Sequence, residues 1–320
     1  MAIFKLKPAY KDYLWGGQKL GESYGKSKDY PILAESWEIS VHLDGPSIVA
    51  SGPDVTLTLE GYIEKHGRAI LGTRAQAFDY FPILVKFIDA KQDLSIQVHP
   101  NDSYARVHEN QYGKTEMWYV LDAEPNASIY YGVKQSISKD AFREAIESNT
   151  ILEVLNKITV KPGDVIFVEA GTIHAIGAGI VICEIQQNSN VTYRVYDFDR
   201  RDNEGNAREL HIDKALDVSV LEPLDASFAP QFDTINHKEA ASTMLVKHAM
   251  FNTERIDVNG AYTFQVDDQS FCGVVCIDGS LIVSSPTDTV SVTKGESMFI
   301  TANEGEIRIS GKGQILSIRI

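Results

Sequence analysis

Gln97 and His99 stand two residues apart in LSIQVHP, and Lys114 and Glu116 stand two apart in KTEMWYVLD. Both runs are apolar and rich in strand-forming residues, and on a strand residues two apart project from one face. Ser95, Gln97 and His99 therefore share a face, with Ile96 and Val98 on the other. Lys114, Glu116, Trp118 and Val120 share a face of the second strand, and GTIHAIG delivers His174 onto a third after a glycine turn. A lone histidine in such a strand is usually a core or surface residue. Two imidazoles, one carboxylate and one amide oxygen in the same half of a chain are instead a ligand set for a divalent cation. With a single carboxylate, such a site keeps net positive charge and favours negative charge developing on substrate oxygens.

Lys86 lies inside FPILVKFIDA, where an ammonium group is costly unless it points into a polar site. Lys86 and Lys114 begin a local basic cluster, with Ser95 as a further contact, in a chain whose net charge is −14. That charge repels anions from most of the surface, so an anionic metabolite needs such a cluster. The same charge argues against nucleic acid and anionic membranes as partners.

The elements that must hold these residues are short β-type runs bounded by Gly, Pro, Asn or Asp, the pattern of an antiparallel sandwich or barrel. Two stretches, about residues 54–72 and 138–158, carry apolar residues at helical spacing, the second with Ser138 as N-cap. They read as helical insertions in a β framework. A short helix is expected near His211, then a linker containing Pro223 and Pro230. The expected division is a metal-binding domain over 1–230 and a strand-rich domain over 231–320.

The second half echoes the first. Gly163 precedes His174 as Gly295 precedes Glu306, and YVLDAEPNASIYYG resembles VCIDGSLIVSS, which sets Glu116 opposite Cys272 and Asp122 opposite Asp278. On that register the second copy keeps a barrel and loses the metal ligands. The three cysteines, Cys183, Cys272 and Cys276, are too few for a disulfide framework and read as buried free thiols. With no apolar run long enough to span a bilayer and no signal peptide, the expected location is cytoplasmic.

Gly163-Asp164, Gly171 and His174 match the second half of the two-part cupin pattern, GDxxxxxxGxxH. QVHPND, KTEMWYVL, GTIHAIG and QQNSNVTYRVYDFDR, with YLWGG and AESWEIS, resemble the short bacterial form of the type I phosphomannose isomerase family through about residue 220. The resemblance implies two cupin jelly-roll barrels, the second degenerate, in a mostly β chain. It implies one Zn2+ per chain on Gln97, His99, Glu116 and His174, and interconversion of mannose 6-phosphate and fructose 6-phosphate through an enediol. It places the family's active-site arginine on Arg194 and the lysine of KxE on Lys114. Lys114 either moves the proton or only binds substrate oxygen or phosphate; Arg194 completes the basic cluster of Lys86 and Lys114 and clamps the phosphate or neutralises the enediolate. Trp15, Glu35 and Trp37 also match family positions and read first as core. One position departs: where the family has Asp in QNSD, this chain has Asn190, which cannot serve as a carboxylate base and is expected to hydrogen-bond substrate.

On the residues alone two rivals stand. His99, Glu116 and His174 by themselves are the set of a non-haem iron cupin dioxygenase. A non-catalytic sugar-binding cupin would need neither Lys114 nor Arg194. The expected partner is a small sugar phosphate, and the expected state is monomer or homodimer.

Overall fold

The computed structural model describes residues 2–201, 204–226, 228 and 232–320. Its strands form three sheets, in which every paired strand runs antiparallel to its neighbour. A six-stranded sheet runs in the order Val165–Val168, Glu116–Ala123, Ile180–Gln187, Ile83–Ala90, Glu35–Ile39, Ala9–Lys11. A five-stranded sheet runs Tyr193–Tyr196, Ile96–Val98, His174–Ala175, Ser128–Val133, Leu155–Thr159. These two face each other as the first jelly-roll barrel. The third sheet, of nine strands, carries the C-terminal segment from Thr234 onward together with Ile3–Lys7 and Ile48–Val49.

The central strands of the six-stranded sheet, Ile83–Ala90 and Ile180–Gln187, are buried on both faces, which is why they read as nearly continuous apolar runs rather than alternating ones. Val85, Phe87, Cys183 and Ile185 pack with Phe271, Phe299, Leu316 and Ile318 of the third sheet in one core. Ile88, Trp118, Val120 and Ile182 face the other way, into the first barrel. The strand Glu35–Ile39 joins the two cores: Trp37 pairs in register with Lys86, while Glu38 meets Lys26 at 2.6 Å and accepts a bond from Ser297 Oγ at 2.9 Å.

The helical insertions are shorter than expected. The first begins at Leu59, because Thr58 is extended and caps the helix Leu59–His66, and a 3-10 turn, Arg68–Leu71, follows. In the second, Ser138 Oγ accepts from the Ala141 amide as a cap and the helix Lys139–Glu147 forms. Asn149, with φ +60°, and a short turn at Ile151–Val154 follow, and Leu155–Thr159 leaves helix altogether for the edge of the five-stranded sheet. The pairing with Ser128–Val133 outweighs the helical spacing there. Ile212–Val218 is the helix expected near His211. Within the expected linker, the Phe228 carbonyl accepts from Val165 N at 2.9 Å and its ring meets Tyr131 edge-on, so that segment lies against the barrel. Pro230 and the 230/231 boundary lie outside the described residues. No helix among the described residues is long and apolar enough to cross a membrane. All three cysteines are free and buried.

The internal echo is structural. Gly163 N bonds Val120 O at 2.8 Å, and Gly295 N bonds Cys276 O at 2.7 Å. Ile166 pairs with Trp118 as Met298 pairs with Val274, the register that sets Glu116 opposite Cys272. Cys272 is buried among Val274, Met298 and Ile300, while Glu306 is exposed, so the second barrel has an apolar interior where the first is polar.

The two turn glycines have positive φ, +92° at Gly163 and +89° at Gly295. A Cβ at Gly163 would meet nothing within 4 Å, whereas one at Gly295 would lie 1.9 Å from the Tyr24 carbonyl oxygen. Gly163→Ala is expected to cost about 1–2 kcal/mol in backbone strain alone, and Gly295→Ala clearly more, read as the difference in urea midpoints. Glu296, beside that turn, bonds Lys5 at 2.5 Å. Burial pushes its pKa up, but Lys5 and the Thr293 amide outweigh this and hold it below the ordinary carboxylate value. Below the ordinary value the unfolded chain binds a proton that the folded chain does not, so this stabilisation is lost as pH falls. Glu296→Gln is expected to flatten part of the loss of urea stability between about pH 5 and about pH 3.

Candidate metal centre and substrate cavity

Strand register brings the singled-out residues into two facing rows. Across the six-stranded sheet, Trp37 pairs with Lys86, Lys86 with Glu184, and Glu184 with Trp118. Across the five-stranded sheet, Arg194 pairs with Gln97 and Gln97 with His174. Between the rows lies a cavity of about 310 Å3, within the size range of small-ligand sites, lined among others by Lys86, Ser95, Gln97, Lys114, Asn190 and Arg194.

Behind its lining residues Gln97 and Lys114, the side chains of His99, Glu116 and His174 are buried, with one ligand atom from each within 4.8 Å of the others. His99 Nδ1 donates to the Val191 carbonyl at 2.8 Å and His174 Nδ1 to the Thr172 carbonyl at 2.9 Å. Both rings therefore turn an Nε2 lone pair to the centre. Those nitrogens lie 3.5 Å and 3.4 Å from the two oxygens of Glu116. The Gln97 amide lies 3.4 Å from His174 Nε2 on one side and 3.5 Å from Ser95 Oγ on the other. Lys114 Nζ sits against Glu116 Oε2 and 3.1 Å from His99 Nε2.

The electrostatics follow from burial. Burial, with Lys114 adding to it, holds His99 well below its ordinary value, and burial brings His174 down to about 4, so both imidazoles are neutral at pH 7. Burial, reinforced by Glu184, pushes Glu116 up to about 7 against the pull of Lys114. Glu184 moves the other way: burial raises it, yet Lys114 and Lys86 hold it below the carboxylate range. Burial works to lower Lys86, but Glu35 and Glu184 outweigh it and the ammonium form is favoured.

This corrects the expected basic cluster. Lys86 lies 3.7 Å from Glu35 and 3.6 Å from Glu184, and 4.6 Å above the Trp37 ring, while Lys114 is held by Glu116. Both lysines face carboxylates; only Arg194 stands apart from them, with Nε on Ser95 Oγ at 3.3 Å and Nη1 on the Glu209 carbonyl at 2.9 Å. Asn190 is at the exposed rim, donating to Asp44 Oδ2 at 3.1 Å. Trp15 and Glu35, read first as core, line the cavity, and Trp37 supports Lys86 from beneath.

Among the charged lining residues, Glu184 and Arg208 escaped sequence reasoning. Glu184, in GIVICEIQQ, carries the signal used for Lys86, a charge inside an apolar strand. Its Oε2 accepts from Trp118 Nε1 at 3.1 Å, and its buried Oε1 has no hydrogen-bond partner. Tyr13 and Arg208 come from loops whose sequence has no periodicity to place them.

The comparisons with known proteins agree with this geometry. Residues 3–129 match the model of the phosphomannose isomerase type I catalytic domain, and residues 241–320 match that of the mannose-6-phosphate isomerase cupin domain. The mannose-6-phosphate isomerase ManA of Bacillus subtilis is 36% identical over 97% of this chain and 96% of its own. A crystal structure of the mannose 6-phosphate isomerase from Bacillus subtilis superimposes with a TM-score of 0.92 at 34% identity, all of both chains being covered. A zinc-bound mannose 6-phosphate isomerase shares the fold, with a TM-score of 0.79 at 19% identity over 99% of both chains. With that identity along nearly its whole length, the chain belongs to the type I phosphomannose isomerase family.

Proposed function

We propose that this chain interconverts mannose 6-phosphate and fructose 6-phosphate by zinc-assisted proton transfer through an enediol. The observation that carries the reading is one cavity lined by Gln97, Lys114 and an unneutralised Arg194, with the buried cluster of His99, Glu116 and His174 directly behind Gln97 and Lys114. Family membership favours it over the iron dioxygenase and the non-catalytic sugar binder.

Gln97, His99, Glu116 and His174 would hold one zinc ion. Four ligands about 2.0–2.1 Å from a tetrahedral ion are about 3.3 Å from one another. The His99–Glu116, His174–Glu116 and Gln97–His174 separations of 3.5, 3.4 and 3.4 Å match that edge. The amide of Gln97 can present its oxygen by a half-turn that hands the NH2 to Ser95 Oγ. The donor set suits a cation, and in this structure the Lys114 ammonium lies against it. Zinc there supplies Lewis-acid stabilisation of charge developing on the sugar oxygens.

The chain's own residues do the rest. Glu184 Oε1, buried and without a hydrogen bond, accepts a sugar hydroxyl, and Lys86, held between Glu35 and Glu184, orients that carboxylate. Lys114, on the cavity side of the ligands, moves the proton between the two carbons. Ser95 joins the metal end to Arg194, whose permanent charge suits it to an anion rather than to proton transfer. Asn190, tied to Asp44 at the rim, hydrogen-bonds substrate there and supplies no base. The first 230 residues carry this reaction, in a cytoplasmic monomer or homodimer.

Metal-replete protein is expected to turn over mannose 6-phosphate in a coupled assay; its failure to do so defeats the reading. Glu116→Ala is expected to lose both zinc and turnover, and stoichiometric zinc retained in elemental analysis would remove Glu116 from the ligand set. Lys114→Met is expected to keep the metal while kcat falls by about 100-fold or more, and near-normal kcat would take proton transfer away from Lys114.

A further inference from the structure

The strand Glu35–Ile39 is irregular at one residue. Its pairing with Ile83–Ala90 steps from Trp37 opposite Lys86 to Ile39 opposite Val85, so Glu38 is the extra residue of a β-bulge. Residues two apart on a regular strand share a face, and here they do not. Trp37 lies under Lys86 at the cavity, whereas Ile39 faces the core shared with the third sheet.

A buried polar cluster surrounds Glu38. Its carboxylate meets Lys26 Nζ at 2.6 Å, accepts from Ser36 Oγ, and accepts from Ser297 Oγ at 2.9 Å. Its backbone carbonyl accepts from Ser47 Oγ at 3.0 Å and lies 3.3 Å from Ser297 Oγ. Lys26 Nζ also donates to the Gly295 carbonyl. The side chains of Lys26 and Glu38 are 5% and 0% exposed. Gly295 and Ser297 belong to the second barrel, in the turn that echoes Gly163. At the place of Ser297 the first barrel has Val165, so the hydroxyl is no requirement of the turn.

Resting on the isomerase reading, we propose that Glu38 is a positioning residue for the reaction: Lys26 and Ser297 lock its bulge, and the locked bulge aims Glu35 and Trp37 at Lys86.

One strand carries the link from its back to its front. At the front, Trp37 Nε1 donates to Glu35 Oε2 at 2.6 Å, and that oxygen lies 3.7 Å from Lys86 Nζ. Lys86 in turn lies 3.6 Å from Glu184 Oε1 in the cavity wall. Without the extra residue, a period of two would bring Ile39 to the cavity or turn Trp37 away from it. Burying a lysine and a carboxylate is costly beside an apolar pair of similar volume, so stability alone is a poor reason for the pair. Hydrogen bonds with fixed directions are what the charged cluster adds, and they hold the bulge in one geometry. The second barrel, which holds none of the proposed zinc ligands, thereby acts on the site through one hydroxyl and one carbonyl.

The test compares wild type with Ser297→Ala, Glu38→Gln and a control, Ile307→Val, in the separate apolar cluster of the second barrel. Three tryptophans give three indole N–H signals in a proton–nitrogen correlation spectrum, and Trp37→Phe identifies the one from Trp37. In Ser297→Ala that signal is expected to move, and kcat/KM for mannose 6-phosphate to fall about tenfold with zinc content unchanged, as for the loss of one hydrogen bond. Glu38→Gln is expected to do the same to a larger degree, because it leaves Lys26 buried beside a neutral amide. If Glu38→Gln does not fold, Ser297→Ala decides alone. Ile307→Val is expected to melt at a lower temperature and to keep the wild-type signal and kcat/KM. An unmoved Trp37 signal in Ser297→Ala overturns the proposal, as does kcat/KM within about twofold of an active wild type. So does a control that shifts both as much as Ser297→Ala, since barrel stability would then account for the effect. The signal is read without substrate, so a wild type that does not isomerise defeats the isomerase reading while the signal still decides whether Glu38 aims Trp37.

Discussion

Two lysines and three carboxylates are buried around one cavity, beside two buried imidazoles, and the rest of the structure answers to the cost of putting them there. Glu116 is 0% exposed, Glu184 3%, and Lys86 and Lys114 each 4%. Charges removed from water are tolerated only when paired closely and in a fixed geometry. Strand pairing supplies that geometry: the row from Trp37 through Lys86 and Glu184 to Trp118 is a row of register partners, so the backbone ladder sets the spacing of the charges. Trp118 adds to this by donating to both Glu116 and Glu184, holding two like-charged groups apart at a fixed distance.

A sheet that presents charges on one face needs support behind it, and the second barrel provides that. Phe271, Phe299, Leu316 and Ile318 pack against the reverse of the strands that carry Lys86 and Glu184. The two barrels share a turn geometry and a register but differ in filling, polar in one and apolar in the other. Position 272, where the first barrel has Glu116, holds a thiol among aliphatic side chains.

The strand-borne part of the candidate site is legible in the sequence and the loop-borne part much less so. Gln97, His99, Glu116 and His174 sit on strands, and the period of two predicts which side chains share a face. A charge inside an apolar strand marks Lys86, and the carboxylate of Glu184 between Cys183 and Ile185 carries the same signal. Which charges pair across strands depends on register, and nothing in a single strand's sequence states its partner; hence the two lysines were read as free for an anion when they face carboxylates. Arg208 lies in a loop whose position depends on Asp197 and on one backbone bond to Arg194, contacts that leave no periodic trace. Helical spacing near Leu155 misled for a related reason, since a vacant sheet edge decided the outcome.

The pairing of Ile3–Lys7 with Ser297–Ile300 has a consequence for how the molecule is assembled. A strand made among the first residues finds its partner almost three hundred positions later, and Ala2 and Thr301 close the same ladder. Contacts of such separation in sequence form late, because the loop they close must be ordered at an entropic cost before they stabilise anything. Until then the N-terminal strand offers an unpaired edge, and the sheet behind the active site lacks its final backing. The strand Ile3–Lys7 is thus among the last to be secured, and the sheet behind the site gains its full backing only once Ser297–Ile300 has paired with it.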